Sequence, residues 1–245
     1  MACSANVIYL KVNPVSIWTT GPCYTELMVS KQKKTVFFVR HGQSVDNALP
    51  VFQSVDSPLS EKGIAQAKSI AERLSTIKFE ILIASPVKRA KETAGYISQQ
   101  TNKDIIFSDL FVERIKPDEI DGKPWTDEKA NRVWRAWEKT LYTPGKRVSN
   151  GENYDDTIAR VDRALNFLES RPESTLAVVT HGYFLRAIVI RILLGDNLTG
   201  PIMKSFQERA SIENTAITVL NYKDAFEEDF AWRLWTLNDP SHFAE

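Results

Sequence analysis

The sequence predicts an α/β fold with a mostly parallel sheet and helices on both faces. Three observations carry this. Residues 35–39 (TVFFV), 79–84 (FEILIA) and 176–179 (LAVV) are short, unbroken apolar runs, as expected of strands buried on both sides. Segments with a helical apolar period lie between them. Each run also ends in a turn sequence: Arg40-His41-Gly42, Ser85-Pro86 or Thr180-His181-Gly182.

Residues 1–34 stand apart. They hold both cysteines, Cys3 and Cys23, and show no clear period. They lack the basic and apolar blocks of a secretory signal. They are expected to form a poorly ordered extension, with Met28 a natural alternative start. The single folded domain is then expected over residues 35–245. After the first strand, residues 59–74 place apolar side chains at 59, 64, 67, 70, 71 and 74, with Ser60 as N-cap. Pro86 suits the first turn of a helix running to about Gln99. Residues 105–108 read as a weak strand. Residues 114–151 are polar and irregular, with a helix expected over 126–141. A helix over 152–168, an apolar helix after Gly182, and late strands at 216–220 and 230–236 complete the pattern.

Composition narrows the function. The 245 residues carry 31 Lys+Arg and 31 Asp+Glu, so there is no basic excess for a general nucleic-acid surface. No apolar run reaches 18 residues; the longest candidate, residues 183–194, contains Arg186 and Arg191 and reads as a buried helix. Two cysteines cannot build a disulfide framework or a four-ligand zinc site, which fits a reducing, cytoplasmic setting. Gly-x-x-x-x-Gly-Lys, Gly-x-Gly-x-x-Gly and His-Glu-x-x-His are all missing, so no P-loop, dinucleotide or zincin site is read, and no cofactor or metal is implied.

Only three histidines occur, at 41, 181 and 242. One histidine at a strand end is ordinarily structural. Here two share one context, an apolar strand before and a glycine after. A parallel sheet delivers both to its carboxyl edge, where open α/β sheets build their crevice. The strand between them brings Ser85-Pro86, with Arg89 on the next helix. Two imidazoles with the guanidiniums of Arg40 and Arg89 suit a phosphoryl dianion, since the planar fork of arginine matches phosphate oxygens. His242 reads as a surface residue, and Arg186 as a packing or salt-bridge residue.

Arg40-His41-Gly42-Gln43-Ser44 with Asn47, LSEKGIAQA at 59–67, ASPVKRAKETA at 84–94, GENYDDTIARV at 151–161 and VVTHG at 178–182 together resemble the histidine phosphatase superfamily. The resemblance runs from about Val36 to Leu220. It implies a three-layer α/β/α sandwich of the phosphoglycerate mutase-like kind, with residues 114–151 as an irregular helical lid that sets specificity. It implies that His41 is the nucleophile and that Arg40, Arg89 and His181 hold the phosphoryl group. Ser44, Asn47 and the Gly182 N–H would be further phosphate contacts. To attack, His41 must be neutral, with its other nitrogen donating to a fixed acceptor such as a backbone carbonyl. A carboxylate after the Arg89 helix would be the general acid. Glu113 is the first candidate and Glu119 and Asp121 the substitutes, because Ile115-Lys116-Pro117-Asp118 departs from the family pattern. Glu152 is explained as a first-turn carboxylate favoured by the helix dipole. Trp125, Trp134 and Trp137 read as the apolar face of the lid.

These residues point to a metal-independent phosphomonoesterase acting on a small phosphorylated metabolite. A phosphoglycerate mutase using the same phosphohistidine is the alternative. The 68 residues from Glu113 to His181 are fewer than the resemblance implies for a mutase, which favours hydrolysis. A non-catalytic phospholigand-binding descendant would be expected to lose His41, His181 or an arginine, and all are present. Gly42-Gln43-Ser44 begins like a serine-hydrolase elbow, but its fifth position is Asp46. Oligomeric state is not legible.

Overall fold

The computed structural model describes residues 33–223 and 231–243. The expected extension over residues 1–34 falls outside the described residues, except for Lys33 and Lys34, which open the first strand.

Twelve main elements are formed, in the order β1 (Lys33–Arg40), α1 (Glu61–Ser75), β2 (Ile81–Ala84), α2 (Lys88–Thr101), β3 (Ile105–Phe107), α3 (Glu128–Thr140), α4 (Tyr154–Ser170), β4 (Thr175–Thr180), α5 (Gly182–Leu194), α6 (Gly200–Arg209), β5 (Ile217–Lys223) and β6 (Trp232–Asp239). The six strands form one sheet in the order β3-β2-β4-β1-β5-β6. The pairs β1–β4, β2–β4 and β2–β3 are parallel, and β5 runs antiparallel to both β1 and β6.

Two apolar layers cover the sheet. Val36, Phe38, Ile83 and Val178 pack on one face with the buried sides of α3, α4 and α5, including Trp137, Val161 and Leu185. Val39, Leu82, Ala84 and Val179 pack on the other face with Ile70 and Leu74 of α1 and Ala90, Ala94 and Ile97 of α2. The three-layer sandwich follows. Alternation along β1 and β4 feeds both layers, which explains why these strands read as unbroken apolar runs.

Local signals account for the helices. Ser60 Oγ accepts from Gly63 N at 3.0 Å and starts α1. Asp127 Oδ1 caps α3 by accepting from Ala130 N at 2.9 Å. Asn153 and Asp156 form a reciprocal capping box at the start of α4. Two expectations are corrected. Pro86 precedes α2, whose cap is Val87. Glu152 lies before the Asn153 cap of α4 and not in its first turn. Helix α6 begins at Gly200-Pro201, where proline in a first helical turn costs no hydrogen bond.

This topology fixes the position of the site. The chain leaves β1 toward the α1 face and leaves the adjacent β4 toward the α5 face. The carboxyl ends of these two strands therefore flank a switch point, with Arg40 registered against Thr180. Backbones are packed tightly there. A Cβ on Gly63 would sit 1.9 Å from Gln43 O, and one on Gly42 would sit 2.6 Å from Gly63 O. The start of α1 thus presses directly on the turn after His41, which only glycine at both positions permits.

Candidate active site

His41 is fixed from several sides. Its N–H donates to Thr180 O at 2.9 Å, and its carbonyl accepts from Asn214 Nδ2 at 2.8 Å. The ring is 1% exposed. Nδ1 lies 2.7 Å from Gly42 O. A carbonyl only accepts, so Nδ1 carries the proton and Nε2 keeps its lone pair. Nε2 accepts from Arg89 Nε at 3.1 Å. Burial first, then the charges of Arg89 and Arg40, push the His41 pKa well below its usual value. The result is a neutral imidazole with a defined basic nitrogen.

His181, Ser85 and Arg89 are equally buried. The His181 ring centroid lies 5.0 Å from that of His41, and His181 Nε2 is 2.8 Å from Ser85 Oγ. Burial, followed by the Arg89 charge, lowers the pKa of His181 as well. Arg89 donates to Ser54 O at 3.0 Å, and burial brings its pKa down to about 10. Arg40 Nη1 donates to Ile212 O at 2.5 Å. Arg40 Nε and His181 Nδ1 are buried and lack a hydrogen-bond partner among the described residues. An unsatisfied buried polar group costs about 1–3 kcal/mol, and a bound oxyanion would remove that cost. Gly182 adjoins them: a Cβ there would lie 3.2 Å from Arg40 Nε.

The three candidate acids are placed differently. Glu113 accepts from Arg114 N at 3.0 Å, and at the start of α5 from Tyr183 N at 3.3 Å and Phe184 N at 3.2 Å. It leaves the Gly182 N–H, and its charge acts on both Arg40 and Arg89. Asp121 accepts from Ser54 Oγ at 2.9 Å and pairs with Lys116 Nζ at 2.6 Å. Burial pushes its pKa up, but Lys116 and Ser54 outweigh this and lower it. Glu119 is exposed and bonded to Ser149 Oγ at 2.7 Å, which lowers its pKa.

Sequence reasoning missed the frame around Glu113. Glu152 and Arg160 are buried and doubly bonded, with Arg160 Nε to Glu152 Oε1 at 2.8 Å and Nη2 to Oε2 at 2.7 Å. Arg160 also donates to the carbonyls of Leu110, Val112 and Glu113, and Glu152 Oε2 accepts from Ile115 N at 3.2 Å. Glu152 is therefore one half of a clamp on residues 110–115 and not a dipole-favoured surface carboxylate. The available signal was the pairing of Glu152 with Arg160 inside GENYDDTIARV.

A cleft of about 1310 Å³ opens over Arg89 and Glu113, lined also by Phe52, Arg114, Lys123 and Trp134. Trp137 is fully buried, and its Nε1 donates to Glu152 O at 2.8 Å, while Trp125 is 56% exposed. Trp125, Trp134 and Trp137 all line the cleft, with different exposure. Arg114 lies against the rings of Trp134, Trp137 and Tyr183, at 4.8, 5.4 and 5.1 Å from their centroids. No carboxylate pairs with its guanidinium among the described residues. Ser44 and Asn47 cap each other around a short 3₁₀ turn; Ser44 is fully buried and also bonded by Gln53, whereas Asn47 is exposed in the cleft. Arg186 packs by hydrogen bonds to Gln207 Oε1 at 2.7 Å and Ala210 O at 3.1 Å.

The family described as the histidine phosphatase superfamily (branch 1) matches residues 36–237. The chain belongs to that superfamily. Members of the histidine phosphatase superfamily are phosphatases or mutases. One relative is a probable phosphoglycerate mutase GpmB of Enterobacter sp. (strain 638), 30% identical over 215 residues, covering 84% of this chain and 94% of that protein. Solved structures share the fold. A putative α-ribazole-5′-P phosphatase from Escherichia coli aligns with a TM-score of 0.69 at 20% identity, over 84% of this chain and 96% of that one. A phosphoserine phosphatase mutant from Entamoeba histolytica, in complex with phosphoserine, aligns with a TM-score of 0.66 at 20% identity, over 86% of this chain and 100% of that one. No helix of the described residues in this superfamily member is long and apolar enough to cross a membrane. Among the described residues, no cluster of three or more His, Cys, Asp or Glu side chains could hold a metal ion.

The buried histidines set a pH dependence of stability. The native pKa values of His41 and His181 lie below the unfolded value of about 6.5, so below that pH the unfolded chain binds more protons. Stability is expected to fall as pH drops below about 6.5, by up to about 1.4 kcal/mol per pH unit for each ring. Urea midpoints at pH 7.5 and 5.5 check this. An unchanged midpoint would mean that these rings are not held neutral.

Proposed function

We propose that the protein is a metal-independent phosphomonoesterase that acts through a phosphohistidine at His41. The observation that carries this reading is the neutral His41 ring with its Nε2 turned to Arg89, beside the unpartnered Arg40 Nε–H and His181 Nδ1. In the proposed reaction His41 Nε2 attacks phosphorus and the bond to the leaving oxygen breaks. The Glu113 carboxyl protonates that oxygen. Water then attacks the phosphohistidine, Glu113 takes its proton, and phosphate leaves. Arg40, Arg89 and His181 hold the equatorial oxygens, so the arginines supply the positive charge that a divalent ion supplies elsewhere.

The substrate class proposed is a small phosphorylated metabolite with a second acidic group. Its support is Arg114, an arginine on the cleft wall against three aromatic rings, with no carboxylate paired to it among the described residues. Residues 114–151 are the proposed specificity segment, and the cytoplasm is the proposed compartment. The relative named phosphoglycerate mutase GpmB favours a second reading, transfer of the phosphoryl group back to a bound acid.

Phosphate release in EDTA from phosphoserine, 3-phosphoglycerate, glycerol 3-phosphate and phenyl phosphate tests these readings. Release that continues in chelator is the expected result. Conversion of 3- to 2-phosphoglycerate after priming with the bisphosphate, with no release, would make the mutase reading the correct one. Loss in chelator that is restored by a divalent ion would sink metal independence. Glu113→Gln is expected to slow alkyl phosphates at least about tenfold more than phenyl phosphate, whose leaving group needs less protonation. Equal losses would move the acid role to Asp121.

A further inference from the structure

After β6 the chain turns back over residues 210–216, the loop between α6 and β5. This loop braces the catalytic turn. Ile212 O accepts from Arg40 Nη1, Asn214 Nδ2 donates to His41 O at 2.8 Å, and Thr215 N donates to Arg40 O at 2.8 Å. Thr215 adopts φ +60°, a left-handed conformation in which a β-branched residue is strained. Such a conformation persists only where the surroundings hold it.

His242 is the surrounding group that holds it. The Thr215 hydroxyl donates to Asn214 O at 2.8 Å, so its oxygen is left to accept from His242 Nε2–H, 3.1 Å away. His242 Nδ1 then accepts from Arg73 Nη1 at 3.2 Å. Arg73 belongs to α1 and also pairs with Asp239. The backbone is tied down as well: His242 O accepts from Ser69 Oγ at 2.7 Å, and Asn238 Oδ1 accepts from Glu213 N at 2.6 Å. The bond from Arg73 to Nδ1 requires a neutral ring with its proton on Nε2. Burial and the Arg73 charge, opposed by Asp239, bring the His242 pKa down to about 4. The sequence expectation of a surface histidine is thereby corrected.

We infer that His242 is a positioning residue: by locking Thr215 it sets the loop that holds the Arg40 guanidinium and the His41 backbone at the phosphoryl pocket. Its expected effect on turnover rests on the proposed function; its effect on the loop does not.

The test uses the full chain with His242→Ala and His242→Gln. Glutamine can donate to Thr215 and accept from Arg73, as the neutral imidazole does. Hydrogen exchange by mass spectrometry follows peptides covering 38–44 and 211–217, alongside kcat and KM for phenyl phosphate at a temperature where each variant is folded. His242→Ala is expected to speed exchange in both peptides at least about tenfold and to lower kcat/KM about tenfold, with His242→Gln restoring both to within about threefold. Faster exchange confined to residues 238–243, with exchange at 38–44 and kcat/KM unchanged, would overturn the proposal even if the protein is less stable. If the wild type releases no phosphate, the exchange at 38–44 alone decides the clasp, and the hydrolytic reading fails separately.

Discussion

Replacing His41 with alanine is expected to lower phosphate release at least about 10⁴-fold, because the covalent step then has no nucleophile. The geometry makes this specific to His41. Its Nε2 is the basic nitrogen facing Arg89, whereas His181 Nε2 is engaged by Ser85. Wild-type protein quenched during turnover of a labelled phosphomonoester should carry the label on histidine, stable in base and lost in acid. The His41→Ala protein should carry none. His41→Asn is the companion variant, since it keeps a polar group beside Arg89. Residual activity within tenfold of wild type in both variants would end the phosphohistidine reading. Label retained in His41→Ala would assign the nucleophile to another residue.

Much of this site was legible because its signals are local. Arg40-His41-Gly42 and Thr180-His181-Gly182 each follow a buried strand, and a parallel sheet brings such turns to one edge. The need for a backbone acceptor on the His41 ring was also foreseeable, and Gly42 O fills that place at 2.7 Å. Strand β1 nonetheless begins at Lys33 and not Thr35. Lys33 and Lys34 look like solvent-side charges, but Lys34 is buried and donates to Arg171 O and to Glu173 O.

What stayed hidden depends on partners distant in sequence. His242 meets Arg73 across 169 positions, so nothing near either residue announces the contact. Asn214 reaches His41 across 173 positions. Glu152 misled for a different reason. A carboxylate next to a predicted helix start has a ready explanation in the helix dipole, and only the observed cap at Asn153 shows that it lies outside the helix. Within residues 114–151 the periodicity argument has little to act on, since short turns and side-chain contacts organise much of the segment. Trp134 and Trp137 both border the cleft, but spacing could not show that Trp137 is fully buried and donates to Glu152 O.

The clamp carries the second large expected effect. Arg160→Ala leaves the buried Glu152 without its ion-pair partner, and it releases the carbonyls of Leu110, Val112 and Glu113. Removing one partner of a buried ion pair costs about 3–5 kcal/mol. For a chain of this size each kcal/mol shifts Tm by about 2–4 °C, so a fall of about 6–20 °C is expected. Glu152→Gln should fall less, because its amide still accepts one hydrogen bond from Arg160. The Glu152→Leu/Arg160→Met double variant separates stability from alignment. Apolar replacement of a whole buried pair is often neutral, so Tm should largely recover. The carbonyls of residues 110–113 would still lack their donor, and Glu113 would lose its fixed approach to the leaving oxygen. Turnover of alkyl phosphates should therefore stay low in the double variant while phenyl phosphate recovers. Recovery of both substrate classes together with Tm would reduce Arg160 to a packing role. A loss below about 1 kcal/mol in Arg160→Ala would mean that water reaches the pair, and that the clamp is far weaker than its buried geometry implies.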